Sequence, residues 1–283
     1  MDKPMAGKTV LLTGATSGIG RAAAVELAGM GAHMVLVGRD QGRLGTVVGG
    51  IESRGGTADT LVADLTSMEE VRGLASRFLD RYDRLDVLVN NAGLVIGKRE
   101  LTADGYEHTF ALDHLAPFLL TDLLMGRLKA SAPSRVVTVS SVAHVFGRIH
   151  FDDIMLERGY DPLRAYSQAK LANIMFTYEL SRRLEGTGVT ANCLHPGIVR
   201  TNFAKGVGGW FGAVMLLLRP IMIGPEEGAR TTVYLASSPE VEGATGGYYV
   251  RRKKARSSRR SYDQEDQKRL WELSAELAGT SSR

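Results

Sequence analysis

Residues 8–12 form a short apolar run. It ends in a glycine-rich turn, Thr13-Gly14-Ala15-Thr16-Ser17-Gly18-Ile19-Gly20, and an amphipathic stretch over residues 21–30 follows. No other feature restricts the fold of this chain as much. A strand that runs through glycines straight into a helix opens a β-α-β unit, because glycine allows so tight a backbone turn. The turn also points the free N–H groups of a helix N-terminus outward, where an anion such as a dinucleotide pyrophosphate can rest. The spacing Gly14-x-x-x-Gly18-x-Gly20 is wider than the G-x-G-x-x-G fingerprint, and alone such a turn is a weak signal.

Strand and helix patterns alternate through the rest of the chain. Further strands are predicted at residues 33–37, 60–63, 86–90, 135–140, 189–194 and 248–250, with long helices over 107–129 and 163–184. A glycine-rich helix reaches about Glu52, and Ser67-Met68-Glu69-Glu70 is a capping-box pattern that starts another. The alternation implies an α/β fold in which helices cover both faces of a parallel sheet. Right-handed crossovers make it a doubly wound, Rossmann-type sheet of about seven strands in a single domain, residues 1–283, with ligand at the carboxyl ends of the strands. No linker, repeat or second domain interrupts it.

Composition fits a soluble enzyme with a large core, at 44% apolar residues. Residues 1–7 lack the apolar stretch of a signal peptide, and the one cysteine, Cys193, suits a reducing, cytoplasmic compartment. No histidine spacing resembles a metal site. The net charge of +4 is concentrated in residues 251–260, which carry seven basic side chains and no acid; the remainder stands at −3. This basic surface segment reads as a solvated loop or as a contact with an anionic partner such as a membrane surface. It contains no aromatic residue for base stacking, and no nucleic-acid partner is expected.

Tyr166 and Lys170, in Tyr166-Ser167-Gln168-Ala169-Lys170, share a face if the segment is helical. An ammonium beside a phenol favours phenolate and lowers a pKa that starts near ~10, which suits proton exchange near neutral pH. A proton donor beside a dinucleotide is the equipment for interconverting a carbonyl and an alcohol. Tyr-x-x-x-Lys also occurs by chance as a surface pair, so the motif needs its context.

Taken together, the Thr13–Gly20 turn, Asp64-Leu65, Asn90-Asn91-Ala92-Gly93, Ser140-Ser141-Val142-Ala143-His144, the Tyr166–Lys170 pair and His195-Pro196-Gly197 resemble a short-chain dehydrogenase/reductase. The chain is most similar to the retinol-dehydrogenase-like branch, from about Lys8 to the last helix. The resemblance implies that Tyr166 is the general acid or base, that Lys170 lowers its pKa and binds the nicotinamide ribose, and that Ser141 polarises the substrate oxygen. It implies that Gly14, Thr16, Ser17, Gly18, Ile19 and Gly20 hold the pyrophosphate. Asp64 and Leu65 would meet the adenine. Asn91, Ala92 and Gly93 would flank the cofactor, with Gly93 giving it room, while Asn90 fixes the strand end. Pro196, Gly197 and Thr201 match the segment that holds the carboxamide. The gap of 25 residues from Ser141 to Tyr166 resembles the insertion of that branch.

Cofactor choice is read at the end of the second strand. Gly38 stands where an NAD enzyme usually has an acid, and Arg39 follows; a guanidinium suits a 2′-phosphate, so NADP(H) is expected. The competing reading gives the ribose to Asp40. One position departs from the family pattern: Asp113 replaces an asparagine that anchors a relay water leading to the lysine. Pro117, four residues on, has no N–H, so the Asp113 carbonyl loses its helical partner and is free for that water. Pro117 as a plain helix kink is the other reading. Residues 201–225 form a long apolar, glycine-punctuated segment with Phe203, Trp210, Phe211 and Leu216 to Leu218, expected as a substrate lid over a lipophilic ketone, aldehyde or alcohol. Alternatively it completes the core or a subunit interface. Its run over 213–218 is too short to span a bilayer, though it would suit peripheral membrane contact. His144 is open to a pocket-lining or a structural role. The expectation is an NADP(H)-dependent oxidoreductase, a homo-oligomer, with Asp113 supporting the proton path. A catalytically weak NADP(H)-binding redox sensor and a peripheral membrane protein are the contrasting readings.

Overall fold

The computed structural model describes residues 3–200 and 222–280. Seven strands run parallel: β1 (Thr9–Thr13), β2 (His33–Gly38), β3 (Thr57–Val62), β4 (Val87–Asn90), β5 (Ser134–Val139), β6 (Val189–His195) and β7 (Gly247–Val250). An eighth, β8 (Lys253–Ala255), closes one edge antiparallel to β7. The order β3-β2-β1-β4-β5-β6-β7-β8 starts the chain in the middle of the sheet, winds to one edge and returns across β1 to the other. The crevice at the carboxyl ends of β1 and β4 is the reversal point, where a doubly wound sheet binds ligands.

The strands alternate between two cores. Leu11 of β1 packs with Val35 and Val37 on the face covered by α3 (Met68–Arg81), α4 (Ala116–Ala130), α5 (Pro162–Arg183) and α7 (Gln264–Leu277). Val10 and Leu12 pack with Met34 and Leu36 on the other face, under α1 (Gly18–Gly29), α2 (Gln41–Glu52) and α6 (Pro225–Ser237). Both faces are therefore apolar, as a sheet covered on both sides requires. Among the described residues no helix is long and apolar enough to cross a membrane.

Local chemistry sets the helix ends. The Asp40 carboxylate accepts the Arg43 N–H at 3.0 Å to start α2, and Ser67 accepts that of Glu70 at 3.3 Å to start α3. The predicted capping box is only half formed. Glu70 Oε2 accepts the Asp64 N–H at 2.7 Å, beyond the cap itself. The long helix over 107–129 is interrupted where the proline falls: Ala111–Leu115 is a π-helical turn, its last bond running from Ala116 N–H to Ala111 O, and α4 continues from it. A wider turn accommodates a residue that can neither donate to nor sit under the carbonyl four places back.

The basic segment 251–260 is a solvated loop only in part. Its basic side chains are exposed, but Arg251 and Arg252 form a two-residue hairpin turn with φ of 50° and 65°, and β8 follows. The Arg252 N–H donates to Thr231 Oγ1 at 3.2 Å, and Arg260 Nη1 donates to Gly147 O at 3.0 Å. Tight hairpins favour Asn-Gly at these left-handed positions, so Arg-Arg gives no turn signal in the sequence. Most of the expected lid, residues 201–221, lies outside the described residues. At its far end Ile223 pairs with the strand end before it, its N–H donating to Ile198 O at 2.9 Å and its carbonyl accepting from Arg200 N at 3.0 Å.

The α7 helix is anchored by Trp271, whose ring is 4.9 Å from that of Phe118 and 5.8 Å from that of Phe176, with the Arg183 guanidinium 4.4 Å from its centroid. Trp271→Ala should cost about 3–5 kcal/mol, the usual range for emptying an aromatic core site. A urea titration would record the loss as a lower midpoint. A loss below about 1 kcal/mol would place α7 outside the cooperative core.

Candidate active site

Thr13 ends β1, and its hydroxyl joins that strand to the segment after β4. It donates to Val89 O at 3.3 Å and accepts from Asn91 N and Ala92 N at 3.0 and 3.1 Å. Asn91 Nδ2 returns the contact, donating to Thr13 O at 2.8 Å and Gly14 O at 3.4 Å. The approach is close enough to require glycine. A Cβ on Gly14 would lie 2.9 Å from Ala92 Cα, and one on Gly20 would lie 2.3 Å from the Gly14 carbonyl oxygen. Then α1 opens with no side-chain cap from Ser17 and no acid in its first turn, so its positive end is left for an anionic ligand. Gly14, Thr16 to Gly20, Arg39, Leu65 and Asn91 to Gly93 line one cleft of about 280 Å³ there, and this donor set fits a dinucleotide. Asn90 points away, donating to Thr121 Oγ1 at 3.0 Å.

Arg39 is exposed, and its Nη1 lies 3.6 Å from Asp64 Oδ2. Burial opposes ionisation of Asp64, but the Thr66 N–H and hydroxyl and the Arg39 guanidinium hold its carboxyl below the usual range. Asp64 does not line the cleft, whereas Leu65 does. Asp40 is engaged elsewhere, capping α2 and lying 3.3 Å from Arg43 Nε. This removes the main support for Asp40 as a ribose acceptor.

Tyr166 and Lys170 are one turn apart on α5, with Lys170 Nζ 5.5 Å from the centre of the phenol ring. Ser140 Oγ donates to Lys170 O at 2.7 Å and ties the end of β5 to α5. That places Ser141 near Tyr166, where its hydroxyl helps to lower the pKa of the phenol. Burial raises the Tyr166 pKa; the Lys170 ammonium and the Ser141 bond pull it down, and the Asp113 charge pushes it up. The net direction is upward. The lysine alone does not bring the phenol toward neutrality.

Asp113 accounts for part of this. Its Oδ2 is 3.0 Å from Lys170 Nζ, with both side chains sealed from solvent. Oδ1 accepts the Leu94 N–H at 3.0 Å, and Nζ donates to Val139 O at 3.3 Å. Burial works against both ions. It pushes the Asp113 carboxyl's pKa up, against the pull of the Lys170 ammonium and the Leu94 N–H. Asp113 and the Tyr166 phenol, by contrast, raise the Lys170 pKa overall, so the lysine stays charged. Gly93 makes room for this pair: a Cβ there would lie 2.8 Å from Oδ2 and 2.9 Å from Nζ. Its expected role beside the cofactor is thus joined by a tighter constraint from behind. The expectation of a free Asp113 carbonyl is corrected. That oxygen accepts from Asn173 Nδ2 at 2.8 Å. Asn173 Oδ1 in turn faces His114 Nδ1 at 3.3 Å, and His114 Nε2 faces Ser274 Oγ of α7 at 2.8 Å. Burial pushes the His114 pKa down to about 4, so the imidazole is neutral. Asn173 was legible in principle, since it lies seven residues after Tyr166 and three after Lys170 and so shares their helix face.

His144 is structural. Its Nδ1 lies 2.6 Å from Ser141 O, and its Nε2 accepts the Ser258 N–H at 3.1 Å, which ties the turn holding Ser141 to the C-terminal segment. His195 Nδ1 accepts the Val142 N–H at 3.1 Å, and burial brings its pKa down to about 4. Pro196 and Gly197 follow at the carboxyl end of β6; Gly197 has φ of 99°, and a Cβ on it would lie 2.7 Å from Ile223 Cδ1. Thr201, with Phe203, Trp210, Phe211 and Leu216 to Leu218, lies outside the described residues. Cys193 is a buried thiol whose pKa burial pushes up to about 12, which makes it unreactive.

Residues 8–210 match the family model of the short chain dehydrogenases. Retinol dehydrogenase 14 of Homo sapiens is 43% identical over 298 residues, which span 97% of this chain and 87% of that protein. The crystal structure of an uncharacterized protein from Mycobacterium paratuberculosis aligns with a TM-score of 0.80 at 36% identity, over 99% of this chain and 96% of that one. A short chain dehydrogenase from Burkholderia cenocepacia, solved in complex with NADP, aligns with a TM-score of 0.70 at 26% identity, over 87% of this chain and 96% of that one.

Proposed function

The chain belongs to the short chain dehydrogenase family, and on that premise we propose that it interconverts a lipophilic ketone or aldehyde and its alcohol with NADP(H). The observation that carries the reading is Tyr166 with the Lys170 ammonium 5.5 Å from its ring, beside a cleft that fits a dinucleotide, with Ser141 near enough to lower the pKa of the phenol. The bound cofactor would supply or accept a hydride. The first turn of α1 and the segment Asn91–Gly93 would hold its diphosphate side. Leu65 would meet the adenine, and Pro196, Gly197 and Thr201 the carboxamide. Arg39 would face the 2′-phosphate, since its present partner Asp64 lies 3.6 Å away across an exposed gap and an exposed pair of this kind is weak.

Tyr166 donates its proton to the carbonyl oxygen during reduction and takes one back during oxidation. Ser141 donates a hydrogen bond to the same oxygen, where negative charge develops. Lys170, kept charged by Asp113, stabilises the phenolate and the ribose hydroxyls. Asp113 supports the proton path by holding Lys170 charged, while its carbonyl is already engaged by Asn173. The apolar composition of residues 201–225 and the name of the human relative support a lipophilic alcohol or carbonyl as substrate.

Tyr166→Phe keeps the ring and removes the proton. Turnover should fall by about 10²–10⁴-fold while NADPH still binds, the scale expected for loss of a general acid. Near-normal turnover of a ketone panel would rule out the assigned role. Arg39→Ala should weaken NADPH by about ten- to a hundredfold and leave NADH nearly unchanged, as expected for a hydrogen bond to a charged group. Equal affinities for the two cofactors in the wild-type protein would defeat that assignment. Asp113→Asn removes a negative charge that raises the Tyr166 pKa. The phenolate needed for alcohol oxidation then forms at lower pH, so the alkaline rise of the oxidation rate should move to lower pH. A move in the opposite direction would show that the carboxylate itself carries the proton.

A further inference from the structure

A second cavity, of about 750 Å³, opens where the stretch between β5 and α5 meets the C-terminal segment, away from the cofactor cleft. Its lining is mostly polar, with one apolar patch contributed by Ile149 and by Leu171 and Met175 of α5. Five arginines stand around it: Arg148, Arg158, Arg164, Arg260 and Arg269. Two of them are engaged by the protein. Arg158 Nε lies 3.7 Å from Asp153, whose carboxylate also accepts the Glu157 and Arg158 N–H groups at 2.8 and 3.1 Å. Arg164 donates to the carbonyl of Gly159 at 3.0 Å and lies against both ring nitrogens of His150 at 3.1 and 3.2 Å.

The other three have no such partner. Arg260 has one bond, to the Gly147 carbonyl, and Arg269 lies over the Phe151 ring, 4.1 Å from its centre. Among the described residues, Arg148, Arg260 and Arg269 have no carboxylate within the 4.0 Å of an ion pair. Asp152 and Asp266 line the same cavity, and Asp266 feels Arg269 and Arg148 only at longer range. Five guanidiniums against three carboxylates leave the lining positive, and an anion among the arginines reduces their mutual repulsion. The volume lies within the range of small-molecule sites.

We propose that this cavity binds a phosphate monoester. Arg148, Arg260 and Arg269 take the phosphate oxygens, and the carbon skeleton rests on Leu171 and Met175. The ester is either a free phosphorylated metabolite or the headgroup of a phosphatidic-acid-like lipid. The second source draws on Val145 and Phe146, which are 50% and 73% exposed and precede Arg148 in the chain. The site is also tied to the helix of Tyr166, because Gln168 accepts the His150 N–H and donates to Ile154 O, each at 2.9 Å.

The test uses the full chain saturated with NADPH, so that the cofactor cleft does not contribute. Glycerol 3-phosphate is titrated calorimetrically with glycerol as control, and flotation is measured with phosphatidylcholine vesicles with and without phosphatidic acid. Saturable binding of glycerol 3-phosphate, lost on combining Arg148→Gln, Arg260→Gln and Arg269→Gln, supports the site with a free ester as its source. Binding seen only with phosphatidic acid, and reduced both by those changes and by Phe146→Ser, supports it with the lipid as source. Arg148→Gln alone, at an exposed position, should weaken either binding about tenfold, the worth of one charge-assisted hydrogen bond. This single variant decides the matter if the triple variant does not fold. No binding by either probe, or binding that survives the arginine changes, overturns the proposal.

Discussion

The pair formed by Asp113 and Lys170 holds the candidate site together from behind. Each ion costs several kcal/mol to take out of water, and only close geometry with further hydrogen bonds offsets that cost. Here the charges are 3.0 Å apart, the carboxylate accepts a backbone N–H from Leu94, and the ammonium donates to Val139 O. Four segments therefore meet at one point: the end of β4, the end of β5, the π turn before α4, and α5. Breaking either charge would leave the other buried alone, which is far more costly than losing the pair as a whole.

That arrangement sets the electrostatics of the tyrosine. A lone ammonium would draw the phenol toward phenolate, while a carboxylate behind it returns part of the field. The site thus combines a lysine held in its charged form with a phenol whose pKa is raised overall. The π turn makes the arrangement possible. Pro117 cannot continue the hydrogen-bond ladder, the turn widens, and Asn173 takes the carbonyl that the helix gives up.

The parts legible in the sequence were those fixed by short-range chemistry. Seven parallel strands, the turn from Thr13 to Gly20, the Tyr166–Lys170 face and the entry to α3 at Ser67 each depend on residues within one turn or one strand. Features decided by distant partners were hidden. Arg251 and Arg252 carry no turn signal, and their hairpin is held in part by Thr231. Glu70 looks like half of a capping box, yet it reaches back to Asp64. The role of His144 was open until Ser258, 114 residues on, supplied its second partner. The carbonyl of Asp113 was expected to be free because the helix alone leaves it so; its partner comes from another helix, 60 residues away.

The contact between His114 and Ser274 joins residues 160 apart in the chain. It extends a line of polar groups from Lys170 through Asp113 and Asn173 to the final helix. A chain emerging from a ribosome cannot complete that line until α7 is out, since Ser274 is synthesised after every other group in it. Until then the aromatic face of Phe118 and Phe176 lacks Trp271, and a nascent molecule exposes apolar surface although its nucleotide half is already synthesised. Closure of that aromatic face is thus timed by the synthesis of α7 rather than by the nucleotide half.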